Sequence, residues 1–138
     1  MKLNNYFLYT LILLFLFVLF YKNKPYKPSP LILKLKYKLG LINSKFLNYD
    51  IRESKDSSYT ENKSIIYICT KDPKTQQYYD DNILLYVCLH ECAHCLSIDY
   101  GHHEEFNKIL KSLTEKATIL RIYDPTVKIP SDYCGLKN

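Results

Sequence analysis

The stretch His90-Glu91-Cys92-Ala93-His94 lies inside an apolar run from Ile83 to Ile98, and its reading organises everything around it. A run of this length reads as a buried helix, and on a helix positions i and i+4 share one face. His90 and His94 can therefore hold one metal ion between them. Zinc takes imidazole nitrogen readily, and it keeps a position open for water where the protein supplies only three ligands. Glu91, next along the helix, is placed to accept a proton from that water. The bland alternative is a surface helix that happens to carry two histidines.

Seven residues beyond His94 begins a second block, Gly101-His102-His103-Glu104-Glu105-Phe106. The first helix must end between the two, and Ser97 to Gly101 supplies the break, since glycine tolerates the positive φ that reverses a chain. A second helix is expected to open near His102. Its apolar positions Phe106, Ile109, Leu110, Leu113, Ala117 and Leu120 recur at helical spacing. His102 stands four residues before Phe106, so it faces the first helix and is the third ligand this reading selects. His103 points about 100° away and is read as an outer or solvent-facing residue, or as the ligand if the two roles are exchanged.

H-E-x-x-H, a short turn, then G-H-x-x-x-F opening a second helix resembles the SprT/WLM group of minimal zincin metallopeptidases. It is similar above all to small membrane-anchored members encoded by large DNA viruses. The resemblance runs from about Ser64 to Gly135 and rests mainly on the two histidine blocks. It implies zinc as the cofactor, His90, His94 and His102 as its ligands, Glu91 as general base, and a polypeptide as substrate. Cys92 and Cys95 depart from it, because such helices usually carry aliphatic or small residues there. Metzincins fit less well: their third histidine follows the second by six residues with a glycine between, where this chain has Tyr100 and Ser97. A gluzincin would use a later glutamate, and Glu115 stands at a tolerable distance.

The chain of 138 residues allows one domain, and its 47% hydrophobic content with 14 Tyr and 6 Phe is that of a packed globule. Five cysteines, Cys69, Cys88, Cys92, Cys95 and Cys134, cannot all pair within one chain. Cys88, Cys92 and Cys95 fall on the helix face opposite His90 and His94 and read as small core residues. That geometry argues against a structural zinc site mixing Cys92, His94, Cys95 and His102. Reduced thiols point to the reducing side of a membrane. The net charge is +5. Lys22, Lys24, Lys27, Lys34, Lys36 and Lys38 cluster after the N-terminal apolar segment and read as a topology signal. Contact with anionic lipid or nucleic acid is the functional alternative. Relatives in the resembled group act on DNA-bound proteins, but no separate DNA-binding module is legible, so nucleic acid is not an expected partner.

Tyr6 to Tyr21 carries no charge and is expected to anchor the chain in a membrane, with Asn4, Asn5 and Lys22 extending it; a signal peptide is the rival reading, although no small-x-small cleavage site follows. The lysines after it place the remainder on the cytosolic side. The expected organisation is thus an anchor at 1–22, a Pro-rich linker at 23–30 and a zincin-like domain at 31–138. Ser29-Pro30 starts a helix with Ile32, Leu35, Leu39, Ile42 and Phe46 inward. Tyr49 to Glu53 and Tyr59 to Cys69 read as two strands around the polar turn Ser54 to Ser58. Asp80, Asp81 or Asn82 caps the active-site helix. A short strand is expected at Thr126 to Ile129.

The fold class is α+β: a transmembrane helix, a short antiparallel sheet and two packed helices carrying the metal. The function expected is peptide-bond hydrolysis by a zinc metalloendopeptidase, with Ile65 to Cys69 as a sheet edge for substrate and Tyr100 or Tyr133 as oxyanion donors. The reading from another class is a non-catalytic membrane-tethered interaction protein that keeps zinc for folding. Glu91 favours the enzyme, since a purely structural site has no use for it.

Overall fold

The computed structural model describes residues 2–22 and 25–135. Lys24, counted in the lysine cluster, lies outside the described residues. Helix α1 spans Lys2–Lys22 and α2 spans Pro30–Ile42. A 3-10 turn at Ser44–Asn48 leads into β1, Asp50–Ser54; β2 is Tyr59–Glu61 and β3 is Ile65–Cys69. Two 16-residue helices follow, α3 at Asp81–Leu96 and α4 at Glu104–Ile119, and a 3-10 turn at Tyr133–Gly135 comes last.

Helix α2 begins where its residues dictate. Ser29 is the N-cap and its hydroxyl accepts from the Ile32 N–H, while Pro30 occupies the first turn, where a missing N–H costs nothing. Ile32, Leu35, Leu39 and Ile42 are buried, as the 3-4-3 spacing requires, and Phe46 continues the same stripe from the following turn. Asp80 caps α3, accepting from the Asn82 N–H at 2.8 Å. Helix α3 is buried nearly all round. Leu84, Leu85, Cys88, Leu89 and Cys92 are fully enclosed between the sheet, α2 and α4.

The sheet differs from the expected antiparallel one. Its order is β1-β3-β2, with β1 parallel to β3 and β2 antiparallel to β3. The run Tyr59 to Cys69 is a hairpin rather than one strand. It folds at Asn62 and Lys63, which take left-handed φ of 50° and 52° in a tight turn closed by the Ser64 N–H on the Glu61 carbonyl at 3.2 Å. Lysine is an unusual occupant of that turn, and so the break leaves no glycine signal. As a result Ile65–Cys69 is the central strand and not an edge; the edge on the cleft side is β2. Ile66 and Ile68 face the helices, while Tyr67 stacks on Tyr59 at 4.6 Å on the other face. The outer edge of β1 is strapped by the segment before α2: the Glu53 N–H donates to the Tyr26 hydroxyl at 3.2 Å.

Three further expectations are corrected. First, no helix among the described residues is long and apolar enough to cross a membrane. The uncharged stretch Tyr6 to Tyr21 covers only about 24 Å at ~1.5 Å per residue, against a hydrocarbon core of about 30 Å. The expected transmembrane span falls with this, and so does the single-pass topology with a cytosolic domain. Second, Cys69 and Cys134 are joined in a disulfide, Cα to Cα 6.3 Å, while Cys88, Cys92 and Cys95 are free. Third, Thr126 to Ile129 forms turn and irregular chain rather than a strand.

Candidate metal centre

His90 and His94 project from α3 on one face, one turn apart. The chain leaves α3 at Ser97 and turns at Gly101, whose φ of +100° suits only glycine. It then presents His102 from the loop before α4, not from the helix itself, because His103 is the N-cap and the helix starts at Glu104. The His102 Nε2 lies 3.1 Å from the His90 Nε2 and 3.2 Å from the His94 Nε2. Four-coordinate ligands about 2.0–2.1 Å from one zinc ion sit about 3.3 Å apart, so this spacing fits a shared ion. Among the described residues these three histidines form the one group close enough to hold a metal. His103 is exposed and packs towards Gly101, outside the cluster. Glu115 is also outside it, on the exposed face of α4, 3.9 Å from the Lys111 amine.

The imidazoles rest on Phe106, whose ring centroid is 4.9, 4.4 and 4.8 Å from those of His90, His94 and His102. Phe106 is 2% exposed and anchors the first turn of α4 beneath all three rings. The loop carrying His102 is held at both ends. Glu105 accepts from the Ser97 hydroxyl and the Ile98 N–H, each at 3.2 Å. The Lys63 amine donates to the Ser97 and Ile98 carbonyls, placing a cation at the C-terminus of α3. Burial, and after it the neighbouring His94 and His102, lower the His90 pKa to about 4; burial and His102 lower that of His94 as well. Both rings are therefore neutral near pH 7, the form that binds metal.

Glu91 is 5% exposed and forms part of the wall of a cleft of about 830 Å³ with the three histidines. Burial pushes its carboxyl up to about 7, opposed by a hydrogen bond from the Thr60 hydroxyl to Oε2 at 2.8 Å. The opposite wall is β2 and its turn, Ser58 to Lys63, and the rim is Asp99, Tyr100 and Gly101. Tyr100 is 86% exposed, so of the two tyrosines singled out it alone stands at the cleft. Tyr133 is buried. Its hydroxyl donates to the Cys69 carbonyl and also bonds Ser58 at 3.1 Å, which gives it a structural place beside the disulfide. Cys88 and Cys92 are buried on the far side of α3, and burial raises both thiols well above the ordinary range.

Sequence reasoning passed over Thr60, Lys63 and Glu105. Glu105 was legible, as a carboxylate in the first turn of α4. Thr60 and Lys63 were not, because their contacts with α3 follow from the hairpin, Thr60 in its first strand and Lys63 in its turn.

The chain is similar to three viral proteins. It is 43% identical over 91 residues to "Uncharacterized protein 042R" of Invertebrate iridescent virus 3, covering 66% of this chain and 57% of that one. It is 36% identical over 112 residues to "Uncharacterized protein 136R" of Invertebrate iridescent virus 6, covering 78% and 63%. With "Uncharacterized protein R325" of Acanthamoeba polyphaga mimivirus the identity is 37% over 87 residues, covering 61% and 44%. The chain thus spans between under half and under two thirds of the length of the curated relatives it matches. No family model matches the sequence, and no solved structure matches the fold.

Proposed function

We propose that this chain is a zinc-dependent metallopeptidase, of the kind the SprT/WLM resemblance implies. The observation that carries the reading is Glu91: a buried carboxylate in the cleft wall, one residue from His90, beside three imidazoles that converge on one point. A centre built only to stabilise a fold needs the histidines and has no need of this acid. His90, His94 and His102 would hold the zinc, and their neutral rings and Nε2 spacing suit it. When bound, zinc supplies Lewis acidity and lowers the pKa of water beside it.

The chain's own residues then divide the work. Glu91, with a pKa lifted to about 7, suits proton transfer at neutral pH: it accepts a proton from water in the cleft and passes it to the departing amine. Strand β2 leaves one edge unpaired along the cleft, where an extended peptide can add as a further strand. Tyr100 at the rim is the remaining oxyanion donor.

Cleavage of an unfolded protein substrate tests this. The zinc-loaded parent should cleave it and a chelator should stop it. Glu91→Gln should keep the metal and the fold but lose activity by a factor on the order of 10². Equal cleavage by parent and variant, or none by the zinc-loaded parent across varied substrates, would remove the peptidase reading and leave a metal-stabilised interaction protein.

A further inference from the structure

The Glu91 carboxylate does not stand alone, and its partner comes from the opposite wall of the cleft. Thr60 is the middle residue of β2, paired with Ile66 of β3. Strand alternation sends Tyr59 and Glu61 to one side and Thr60 to the other, towards α3. There the Thr60 Oγ1 lies 2.8 Å from the Glu91 Oε2 and 3.2 Å from the Glu91 backbone carbonyl. A hydroxyl has one proton to give. The carbonyl oxygen belongs to the helical ladder of α3, and a carboxylate is the stronger acceptor, so the proton goes to Oε2.

We propose that Thr60 is the positioning residue for Glu91. This rests on Glu91 acting as the base. A glutamate side chain has three rotatable bonds, and threonine has one stiff one. A bond from a β-branched side chain on a paired strand therefore fixes one carboxylate oxygen and leaves Oε1 for the proton of a water in the cleft. The strand that would receive the substrate then also holds the base. Substrate pairing along β2 and proton transfer at Glu91 become coupled through a single side chain.

The test uses the zinc-loaded full chain and the variants Thr60→Val and Thr60→Ser. Valine keeps the shape and the strand but has no hydroxyl, whereas serine keeps the hydroxyl. We expect Thr60→Val to lower kcat by about 10- to 100-fold with KM, zinc content and melting temperature close to the parent's, and Thr60→Ser to restore kcat to within a few-fold. In a Glu91→Gln background, Thr60→Val should have little further effect, because the two act as one unit. Unchanged kcat in Thr60→Val, or an effect confined to KM or to melting temperature, would overturn the proposal while leaving Glu91 as base. Crystal structures of the parent and both variants decide independently of activity. Glu91 should hold one side-chain conformation in the parent and Thr60→Ser and leave it in Thr60→Val. An unmoved Glu91 in Thr60→Val overturns the proposal even if no substrate is ever cleaved. Should Thr60→Val fail to fold, Thr60→Ala is read in the same way.

Discussion

Two ionisable residues one position apart are shifted in opposite senses, and acid separates them. Without metal, His90 titrates near 4 in the fold and near 6.5 when unfolded. Its share of stability is present above about 6.5 and is lost as pH falls towards 4. Glu91 titrates near 7 in the fold and near 4.5 when unfolded. Its share is present below about 4.5 and is lost as pH rises through 7. Between pH 7 and pH 5 the two run against each other. Glu91→Gln removes only the second, so the metal-free variant should lose melting temperature steadily on acidification across that range, while the metal-free parent changes less. Parallel melting profiles would show that Glu91 is not buried in its charged form. At this scale the sequence told much. His90, Glu91, His94 and His102 were legible because their chemistry constrains their spacing. Thr60 was not, because a threonine in a strand carries no mark of what it faces.

Helices were more legible than strands, for a physical reason. Ser29-Pro30 and Asp80 are start signals that act through the next three residues, so they can be read locally. Asp80→Ala should remove the cap on the helix that bears His90 and His94, at a cost of about 1 kcal/mol, readable as a lowered denaturation midpoint with an unchanged slope. No change would mean that Asp81, already paired with Lys34 and Lys38, has taken over the cap. The sheet was misread because pairing is non-local. Nothing in Asp50–Ser54 says that it lies parallel to Ile65–Cys69, and the Asn62-Lys63 turn lacks the glycine that usually marks one. The second helix opens two residues beyond His102, which stands in the loop before it, because His103 is the N-cap.

On the scale of the whole molecule, the C-terminal segment is tied back to the cleft. The Cys69–Cys134 disulfide joins residues 65 apart in sequence. Next to it, Tyr133 bonds both the Cys69 carbonyl and Ser58, the residue that opens the β2 wall. Cross-linking a loop of that size removes about 4 kcal/mol of chain entropy from the unfolded state. Cys134→Ser should therefore lower the denaturation free energy by an amount of that order, and reduction of the parent should do the same. Equal stability of parent and Cys134→Ser would show that this bond contributes nothing to the fold. Cysteine counting alone predicted only that not all five could pair. Which two meet depends on how residues 120–134 return from the end of α4 to Cys69 at the end of β3, and no local pattern encodes it.

The proposed function depends on three imidazoles meeting at one ion, and zinc titration of the metal-free chain tests that most directly. Calorimetry of the parent, His102→Ala and His103→Ala should give one zinc per chain in the parent and in His103→Ala. His102→Ala should bind far more weakly, because the loop ligand is gone while the helix pair remains. Zinc bound by His102→Ala with the parent's stoichiometry and affinity would contradict the account.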